Sequence, residues 1–252
     1  MFVRVGNCGW SYFRPVDYFG PAWKKRFSSV LAAYARKFDC VEVNSSFYRI
    51  PKRSTAVKWL EEARAVNPKF VFTVKCSQLV THAPSFGAKS VWAFRKTLDV
   101  CNALDAPLLL LQSPAGFKPS RENIKRMRVF FEKIARARER AGVALAWEPR
   151  GEWWKTPGLV EKTCSEFDLI NCVDPLRNEP LHFGSARFAY FRLHGFGKTS
   201  VYDYRFSRKE LLGLKKKIDA LKRAGKCAGA WVFFNNVYCY ENALEFKKLA
   251  RV

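Results

Sequence analysis

The chain has 252 residues, of which 48% are hydrophobic and 27% charged, a composition typical of a packed globular protein and not of a disordered one. It carries 45 Lys and Arg against 22 Asp and Glu, a formal net charge of +23. No run of about 18 apolar residues and no signal-peptide core occurs. These features disfavour a membrane protein and predict a cytoplasmic one.

The excess of positive charge projects a positive field into solvent and favours a polyanionic partner, with nucleic acid, either DNA or RNA, as the leading prediction. Many of the basic residues fall in two predicted helices, 121–140 and 215–226, so the alternative is a solvated outer surface. A high content of Lys and Arg with few Gln and Met also resembles the composition of proteins from thermophiles.

The eight cysteines include no pair separated by two residues, the spacing of zinc knuckles and redox motifs. We therefore expect most of them to behave as small buried hydrophobes. A disulfide stays open as an alternative if the source is a thermophile.

Along the chain, short apolar runs alternate with longer amphipathic stretches, as in parallel strands joined by helices. Helical spacing is clear first at Phe27, Val30, Leu31 and Tyr34. Eight strand-like runs in about 250 residues predict an α/β fold, a single (β/α)8 barrel of the TIM type that spans 1–252. The predicted strands are 3–8, 40–44, 70–75, 108–112, 143–148, 169–174, 188–194 and 229–235.

Polar side chains stand where seven of these strands end. The carboxyl ends of parallel barrel strands open on one face, where active sites are built, so we expect these residues to share one mouth. The alternative is that each polar residue only caps a solvated loop. The residues are Glu42, Asn44, Lys75, Gln112, Glu148, Arg150, Asp174, Arg192, His194, Asn235 and Asn236.

Aromatic residues occur beside the same strand ends, among them Trp10, Tyr12, Trp154 and Tyr202. Some of these rings belong to the core, but tryptophans and tyrosines beside basic groups also form stacking platforms for bases or sugars. We therefore include these four among the candidate substrate-binding residues.

The candidate catalytic residues are Glu148, Asp174, Glu42, His194 and His82, as general acids and bases. The three carboxylates are also candidate ligands of one divalent cation, Mg²⁺ or Mn²⁺. The chain has three histidines, too few for a trinuclear zinc site.

Phosphate binding is assigned to three cationic side chains, those of Lys75, Arg150 and Arg192. The polar side chains of Asn44, Gln112, Asn235 and Asn236 are assigned to substrate binding with them. For Glu148 and Arg150 the alternative is an ion pair that orders the barrel rim.

Several motifs at these positions occur in one order along almost the whole chain: 6–12 (GNCGWSY), 41–48 (VEVNSSFY), 72–75 (FTVK), 111–114 (LQSP), 148–150 (EPR), 190–195 (YFRLHG) and 234–236 (FNN). With these motifs the chain resembles the YecE-like family, a domain family of unknown function. The resemblance implies a TIM-type barrel similar to sugar isomerase and abasic-site endonuclease barrels, and it assigns no activity. The chain differs from the family pattern by placing Gly151 where a histidine commonly follows the Glu-x-Arg motif.

Three functions remain open at this point. The leading hypothesis is a nucleic-acid-processing hydrolase, a nuclease or repair-type phosphodiesterase that acts at the barrel mouth. The second is an isomerase, lyase or hydrolase of a small phosphorylated sugar. The third is a nucleic-acid-binding protein without catalysis, with affinity that falls steeply with salt.

Overall fold

A computed structural model of the chain describes residues 1–82 and 86–252. Eight parallel strands follow one another around a closed barrel, and the last strand pairs with the first. The predicted (β/α)8 barrel is therefore confirmed, and each predicted strand agrees with the structure to within one residue at both ends. The strands are β1 Phe2–Asn7, β2 Cys40–Val43, β3 Val71–Lys75, β4 Leu108–Gln112, β5 Ala144–Glu148, β6 Leu169–Val173, β7 Phe188–Leu193 and β8 Gly229–Phe234.

α-Helices follow the strands and cover the barrel from outside, except after β6, where a loop without a helix leads directly to β7. The α-helices of the described residues are α1 Pro15–Phe19, α2 Val30–Ala35, α3 Arg53–Val66, α4 Gln78–Thr81, α5 Ala88–Ala103, α6 Arg121–Ala141, α7 Pro157–Glu166, α8 Arg208–Arg223 and α9 Cys239–Ala250. None of them is both long and apolar enough to cross a membrane.

Local signals set the ends of the two long basic helices. The hydroxyl of Ser207 accepts a hydrogen bond from the amide of Glu210 at 3.3 Å, and the Glu210 carboxylate accepts one from the amide of Ser207 at 2.8 Å, so α8 begins with a capping box. Ser120 caps α6, which ends at Gly142 in the left-handed conformation.

The strands separate two apolar layers. Leu110, Cys172 and Phe233 belong to the cluster inside the barrel, whereas Leu109, Val173 and Phe234 belong to the larger cluster between strands and helices. Because successive side chains of a strand point to opposite faces, this alternation decides which polar residues at the strand ends turn inward.

Part of the positive charge is neutralised on the outer helices. In α8, Lys215 pairs with Asp219 at 2.6 Å, and in α6, Arg128 pairs with Glu166 at 2.5 Å. Some of the positive charge of the chain therefore belongs to the solvated outer surface of the helices, as the alternative interpretation expects. All eight cysteines are free, and six of them are buried, in agreement with their expected role as small hydrophobes.

Gly6 tests the closure of the barrel. A Cβ atom added there would lie 2.2 Å from the carbonyl oxygen of Cys40, its partner across the β1–β2 pair. We expect Gly6→Ala to lower the free energy of unfolding by about 2 kcal/mol or more, because the two strands must separate. The measurement is urea unfolding followed by circular dichroism.

The matched control is Gly213→Ala in α8, where an added Cβ meets open space. This change should raise stability by roughly 0.5–1 kcal/mol, since alanine favours a helix interior over glycine. Equal stability of the two variants would contradict the close approach of β1 and β2.

Candidate active site

Six of the candidate residues form the upper layer of the barrel interior. Glu42 follows the interior residue Cys40 by two positions, and Arg192 follows Tyr190 in the same way. The two-residue period of a strand therefore turns these side chains inward at the carboxyl end of the barrel. By the same period the layer also contains Lys75, Gln112, Glu148 and Asp174.

Arg192 lies at the centre of this layer. Its Nη2 donates to Oε1 of Glu42 at 2.9 Å and its Nη1 to Oε2 of Glu148 at 2.5 Å. The guanidinium and Glu42 are 0% exposed, and Glu148 is 6% exposed. Two buried carboxylates thus share one buried cation, and the structure brings three strands, β2, β5 and β7, together through it.

Glu42 is held on both oxygens. While Oε1 accepts from Arg192, Oε2 accepts from the hydroxyl of Tyr190 at 2.8 Å, and that hydroxyl also lies 2.9 Å from Oγ1 of Thr73. All four side chains are buried. Glu42 therefore anchors an interior hydrogen-bond network in which each of its two oxygens accepts a hydrogen bond.

Glu148 extends the network toward solvent. Its Oε1 accepts from Nε and Nη2 of Arg150 at 3.1 and 2.9 Å. Burial alone would raise the pKa of Glu148, but Arg192 and Arg150 overcome this effect and hold the pKa well below its ordinary value. Glu148 is therefore a carboxylate throughout the physiological range, suited to fix cations and poorly suited to accept a proton.

His194 is the neutral member of the site. Nη2 of Arg150 lies 3.1 Å from Nε2 of His194, and since an arginine can only donate, Nε2 accepts and the ring proton is on Nδ1. Burial lowers the pKa of His194 to about 3, although Glu148 acts in the opposite direction. The imidazole is uncharged near neutral pH.

Lys75 differs from the arginines because it has no acidic partner. Its Nζ lies 4.2 Å from the centre of the Phe47 ring, and among the described residues no carboxylate oxygen comes within 4.0 Å of it. The side chain is 7% exposed. Burial, and next the charge of Arg192, lower the pKa of Lys75 to about 8.

Asp174 accepts hydrogen bonds from main-chain amides. Its Oδ1 accepts from the amide of Leu176 at 3.0 Å and its Oδ2 from the amide of His194 at 3.3 Å. Burial raises its pKa above the ordinary value. The carboxylate therefore joins the loop after β6 to the end of β7, and Nε of Arg177 lies 3.8 Å from its Oδ2. The acid–base role expected from the sequence stays a prediction.

The other candidates divide into two groups. His82 is exposed beyond α4 and packs its ring edge-on against Phe47 at 4.9 Å, and the buried Oδ1 of Asn44 has no hydrogen-bond partner among the described residues. These two, with Gln112, Asn235, Tyr12 and Tyr202, lie on the mouth or its loops.

Trp10, Trp154 and Asn236 are engaged in contacts within the protein. Trp10 packs edge-on against Trp59 of α3 at 5.1 Å, in the layer between strands and helices. The indole of Trp154 donates to the carbonyl of Pro149 at 3.0 Å, and Asn236 donates to the carbonyl of Tyr204 at 2.7 Å. The sequence could not separate these rings and amides from true platform residues.

The proposed cation ligands Glu42, Glu148 and Asp174 do not converge on a common point. The guanidinium of Arg192 lies between the two glutamates, where a divalent cation would be needed, and Asp174 accepts from main-chain amides. Within residues 1–82 and 86–252 no group of three His, Cys, Asp or Glu side chains is arranged to hold a metal. As arranged here, these three carboxylates do not form a divalent-cation site.

Sequence reasoning missed several residues of the mouth. Cys8, interpreted as a plain buried hydrophobe, follows β1 directly. Burial raises the pKa of its thiol, while the charge of Arg192 lowers it and that of Glu42 raises it. Tyr190 and Thr73 complete the interior network. Their signal was available, since each lies two positions before a candidate residue on its own strand.

Comparison with known proteins identifies the family. The profile of the family described as "Protein of unknown function DUF72" matches residues 4–252. The chain belongs to this family. The DUF72 chain is 25% identical to the UPF0759 protein YunF of Bacillus subtilis over 93% of its own length and 88% of YunF. It superposes on a DUF72 family structure from Thermotoga maritima with a TM-score of 0.72, at 27% identity and full coverage of both chains.

The DUF72 barrel also resembles more distant solved structures in fold. A D-tagatose 3-epimerase-like protein gives a TM-score of 0.60 at 14% identity, with coverage of 89% of this chain and 92% of that one. SacUVDE gives 0.59 at 8% identity, with coverage of 100% and 98%. These likenesses support the TIM-barrel fold alone.

Gly151 has a local reason in this DUF72 chain. Its φ is +65°, and an added Cβ would lie 2.6 Å from the carbonyl oxygen of Ala115 in the loop after β4. A histidine here would have to displace that loop. The position therefore contributes close backbone packing next to Arg150 in place of an imidazole.

Removal of the central cation tests the buried network. We expect Arg192→Ala to lower the free energy of unfolding by about 3–5 kcal/mol, because Glu42 and Glu148 would remain buried with too little positive charge. In the triple variant Glu42→Leu, Glu148→Leu, Arg192→Met most of that loss should be recovered. Urea unfolding measures both, and a single variant that loses under about 1 kcal/mol would rule out the coupling.

Lys75 should be a source of instability. Its folded-state pKa of about 8 lies below the ordinary 10.5, so between these pH values the unfolded chain binds more protons and stability due to this group rises with pH. We expect Lys75→Met to be more stable than the natural protein by roughly 1–3 kcal/mol at pH 7, with the difference shrinking toward pH 10.

Urea unfolding at pH 7, 8.5 and 10 measures that difference, and subtraction of the two proteins cancels the titration of other groups. Lys198→Met is the control, since Lys198 is exposed on the loop after β7 and its replacement should change stability little at each pH. A Lys75→Met protein less stable than the natural one at pH 7 would contradict an unfavourable buried ammonium.

Proposed function

We propose that the protein binds nucleic acid across the carboxyl-terminal face of its barrel and processes it at the mouth. The observation that carries this proposal is an arc of exposed tyrosines. The arc consists of Tyr202 after β7, Tyr238 after β8, Tyr12 after β1 and Tyr48 after β2. These four strands are consecutive neighbours in the closed barrel, so the four rings lie on adjacent loops of one face.

The four rings differ in exposure. Tyr12 is 89% and Tyr48 75% exposed, whereas Tyr202 and Tyr238 are 39% and 37% exposed; a ring that only filled the core would be covered. The ring of Tyr202 lies 5.8 Å from that of His194, which connects the arc to the mouth. Single exposed aromatics are ordinary, but several beside a polar site indicate an interaction surface. Tyrosine faces stack on unpaired bases of any sequence.

Positive charge accompanies the arc. Arg49 and Lys52 follow Tyr48 on the same loop and are exposed, as is Lys198 on the loop after β7. Among the described residues none of these three has a carboxylate within 4.0 Å, so their charges are available to phosphates. With a chain charge of +23, the electrostatic attraction to a polyanion is strong and sensitive to salt.

The mouth supplies chemistry for a phosphate-bearing substrate. Arg150, with 31% of its side chain exposed, is fixed by Glu148 and faces the same opening as the unpaired Lys75. An arginine held rigidly by a carboxylate binds a phosphate with little loss of freedom. Lys75, with its pKa of about 8, can exchange a proton near neutral pH. This arrangement supports a nuclease or repair-type phosphodiesterase.

The second candidate is an enzyme that acts on a small phosphorylated sugar. It is favoured by the position of Lys75, which is 7% exposed inside the ring of strands, where a small substrate reaches more easily than a duplex. Under this alternative the tyrosine arc has no part in activity, which separates the two candidates.

The direct test of the proposed function uses fluorescently labelled single-stranded, duplex and abasic-site DNA and RNA, each with and without Mg²⁺ or Mn²⁺. We expect submicromolar binding at low salt, tightest for single-stranded or abasic substrates, and cleavage of at least one of them. If the protein binds nucleic acid but cleaves none, only the third hypothesis, a nucleic-acid-binding protein without catalysis, would remain. The absence of both would remove the proposal.

The tyrosine arc should carry the affinity for unpaired bases. We expect Tyr12→Ala combined with Tyr48→Ala to weaken binding of single-stranded DNA by about tenfold or more, since one stacked base contributes roughly 1–3 kcal/mol. The slope of log affinity against log salt should not change, because the lost rings carry no charge. Fluorescence anisotropy over a salt series measures both quantities.

Trp92→Ala provides the matched control for the arc. Trp92 is 53% exposed but lies on α5, on the outer layer of the barrel, so its loss should leave binding unchanged. Equal effects of the Trp92 and tyrosine variants, or no effect of either, would contradict a stacking role for the arc.

A further inference from the structure

Lys75 holds an unusual position among the cations of the mouth. Arg192 is paired with two carboxylates and Arg150 with one, whereas Lys75 is buried against the ring of Phe47, with its Nζ 4.2 Å from the ring centre. Within the described parts of the chain no acidic oxygen lies within 4.0 Å of its Nζ. Burial disfavours the charged form of this amine and lowers its pKa below the ordinary value of a lysine.

The two glutamates of the mouth are engaged with groups other than Lys75. Both oxygens of Glu42 accept hydrogen bonds from other groups, as do both oxygens of Glu148. The guanidinium of Arg192 adds like charge nearby, and the pKa of about 8 means that about one tenth of Lys75 is a free amine at pH 7. A neutral amine in an enclosed polar site is a nucleophile toward carbonyl carbon.

We propose that Lys75 forms a covalent imine with the aldehyde carbon of an open-chain phosphorylated sugar bound at the barrel mouth. This inference rests on the proposed function, for which it specifies the reacting group of the substrate. A ring-opened abasic deoxyribose in DNA and a free triose phosphate share this chemistry, an aldehyde close to a phosphate. The phosphate would be bound by Arg150, and the aldehyde would face Lys75.

The step balances with water as the only by-product. The nitrogen lone pair of neutral Lys75 attacks the aldehyde carbon, the carbonyl oxygen takes a proton from the nitrogen, and a carbinolamine forms. The carbon–oxygen bond then breaks, and the hydroxyl leaves as water with the remaining proton of the nitrogen. The nitrogen lone pair forms the carbon–nitrogen double bond. Addition of one water reverses the sequence and restores the lysine, so no oxidant, reductant or metal is required.

The experiment traps this imine. The protein is incubated with sodium cyanoborohydride and an oligonucleotide that contains an aldehydic abasic site, or with glyceraldehyde 3-phosphate. Intact-mass spectrometry and peptide mapping then locate the adduct. We expect one adduct per chain on Lys75 with at least one of the two aldehydes. The trapping rate should rise with pH, and the midpoint of that rise should lie near pH 8. Lys75→Arg should lower the rate at least tenfold.

Two controls separate Lys75 from ordinary surface amines. Lys216→Arg removes an exposed lysine of α8, on the outer layer of the barrel, and should trap like the natural protein. An oligonucleotide with a tetrahydrofuran abasic analogue, which has no aldehyde, should bind but give no adduct. Adducts spread over surface lysines, or an unchanged rate in Lys75→Arg, would overturn the imine. Circular dichroism confirms that each variant is folded.

The two proposals fail in different ways. If DNA binds and is cleaved but neither aldehyde is trapped on Lys75, the imine is wrong and the proposed function stands. If Lys75 is trapped by glyceraldehyde 3-phosphate alone and no nucleic acid binds, the imine stands and the nucleic-acid function is wrong. Trapping on the abasic oligonucleotide in preference to the free triose phosphate supports both.

Discussion

The guanidinium of Arg192 lies inside the barrel between the carboxylates of Glu42 and Glu148, with almost no contact with solvent. None of the three groups could be buried alone, because an isolated ion in a protein interior is strongly unfavourable. Together they join strands on opposite parts of the ring, and the upper end of the barrel is defined by their geometry. The rest of the site is arranged around this ionic centre.

Once Arg192 has satisfied the two glutamates, the remaining cations of the mouth have distinct roles. Arg150 donates to the other oxygen of Glu148, which fixes the guanidinium at the opening. The neighbouring His194 stays neutral. Lys75 has no carboxylate oxygen within 4.0 Å among the described residues. The mouth therefore combines two arginines paired with carboxylates and one buried lysine without an acidic partner.

Much of this could be predicted from the sequence, for a physical reason. Buried parallel strands are short apolar runs, so their positions were found to within one residue, and the common direction of their carboxyl ends predicted that distant polar residues would meet. The role of each residue was harder to predict. Glu148 and Asp174 look alike as strand-end acids, yet one binds arginines and the other accepts from main-chain amides, a difference set by loop geometry.

The aromatic residues show the same limit. Trp10 and Tyr12 are two residues apart, but Trp10 packs under α3 whereas Tyr12 is exposed. Nothing in the local sequence distinguishes a ring that meets a helix from one that meets solvent, since the answer depends on where α3 is placed by the barrel as a whole. The tyrosine arc became visible only when neighbouring strands, far apart in sequence, were seen in their order around the ring.

The pairing of β1 has a consequence for synthesis of the chain on the ribosome. β1 forms two register pairs with β2 but six with β8, so the first strand to emerge finds most of its backbone partners in the last. Until residues 229–234 have left the exit tunnel, one edge of β1 stays open, and the nascent barrel is exposed to strand exchange with other chains. Closure of the barrel is therefore a late event, because β1 must wait for the last strand.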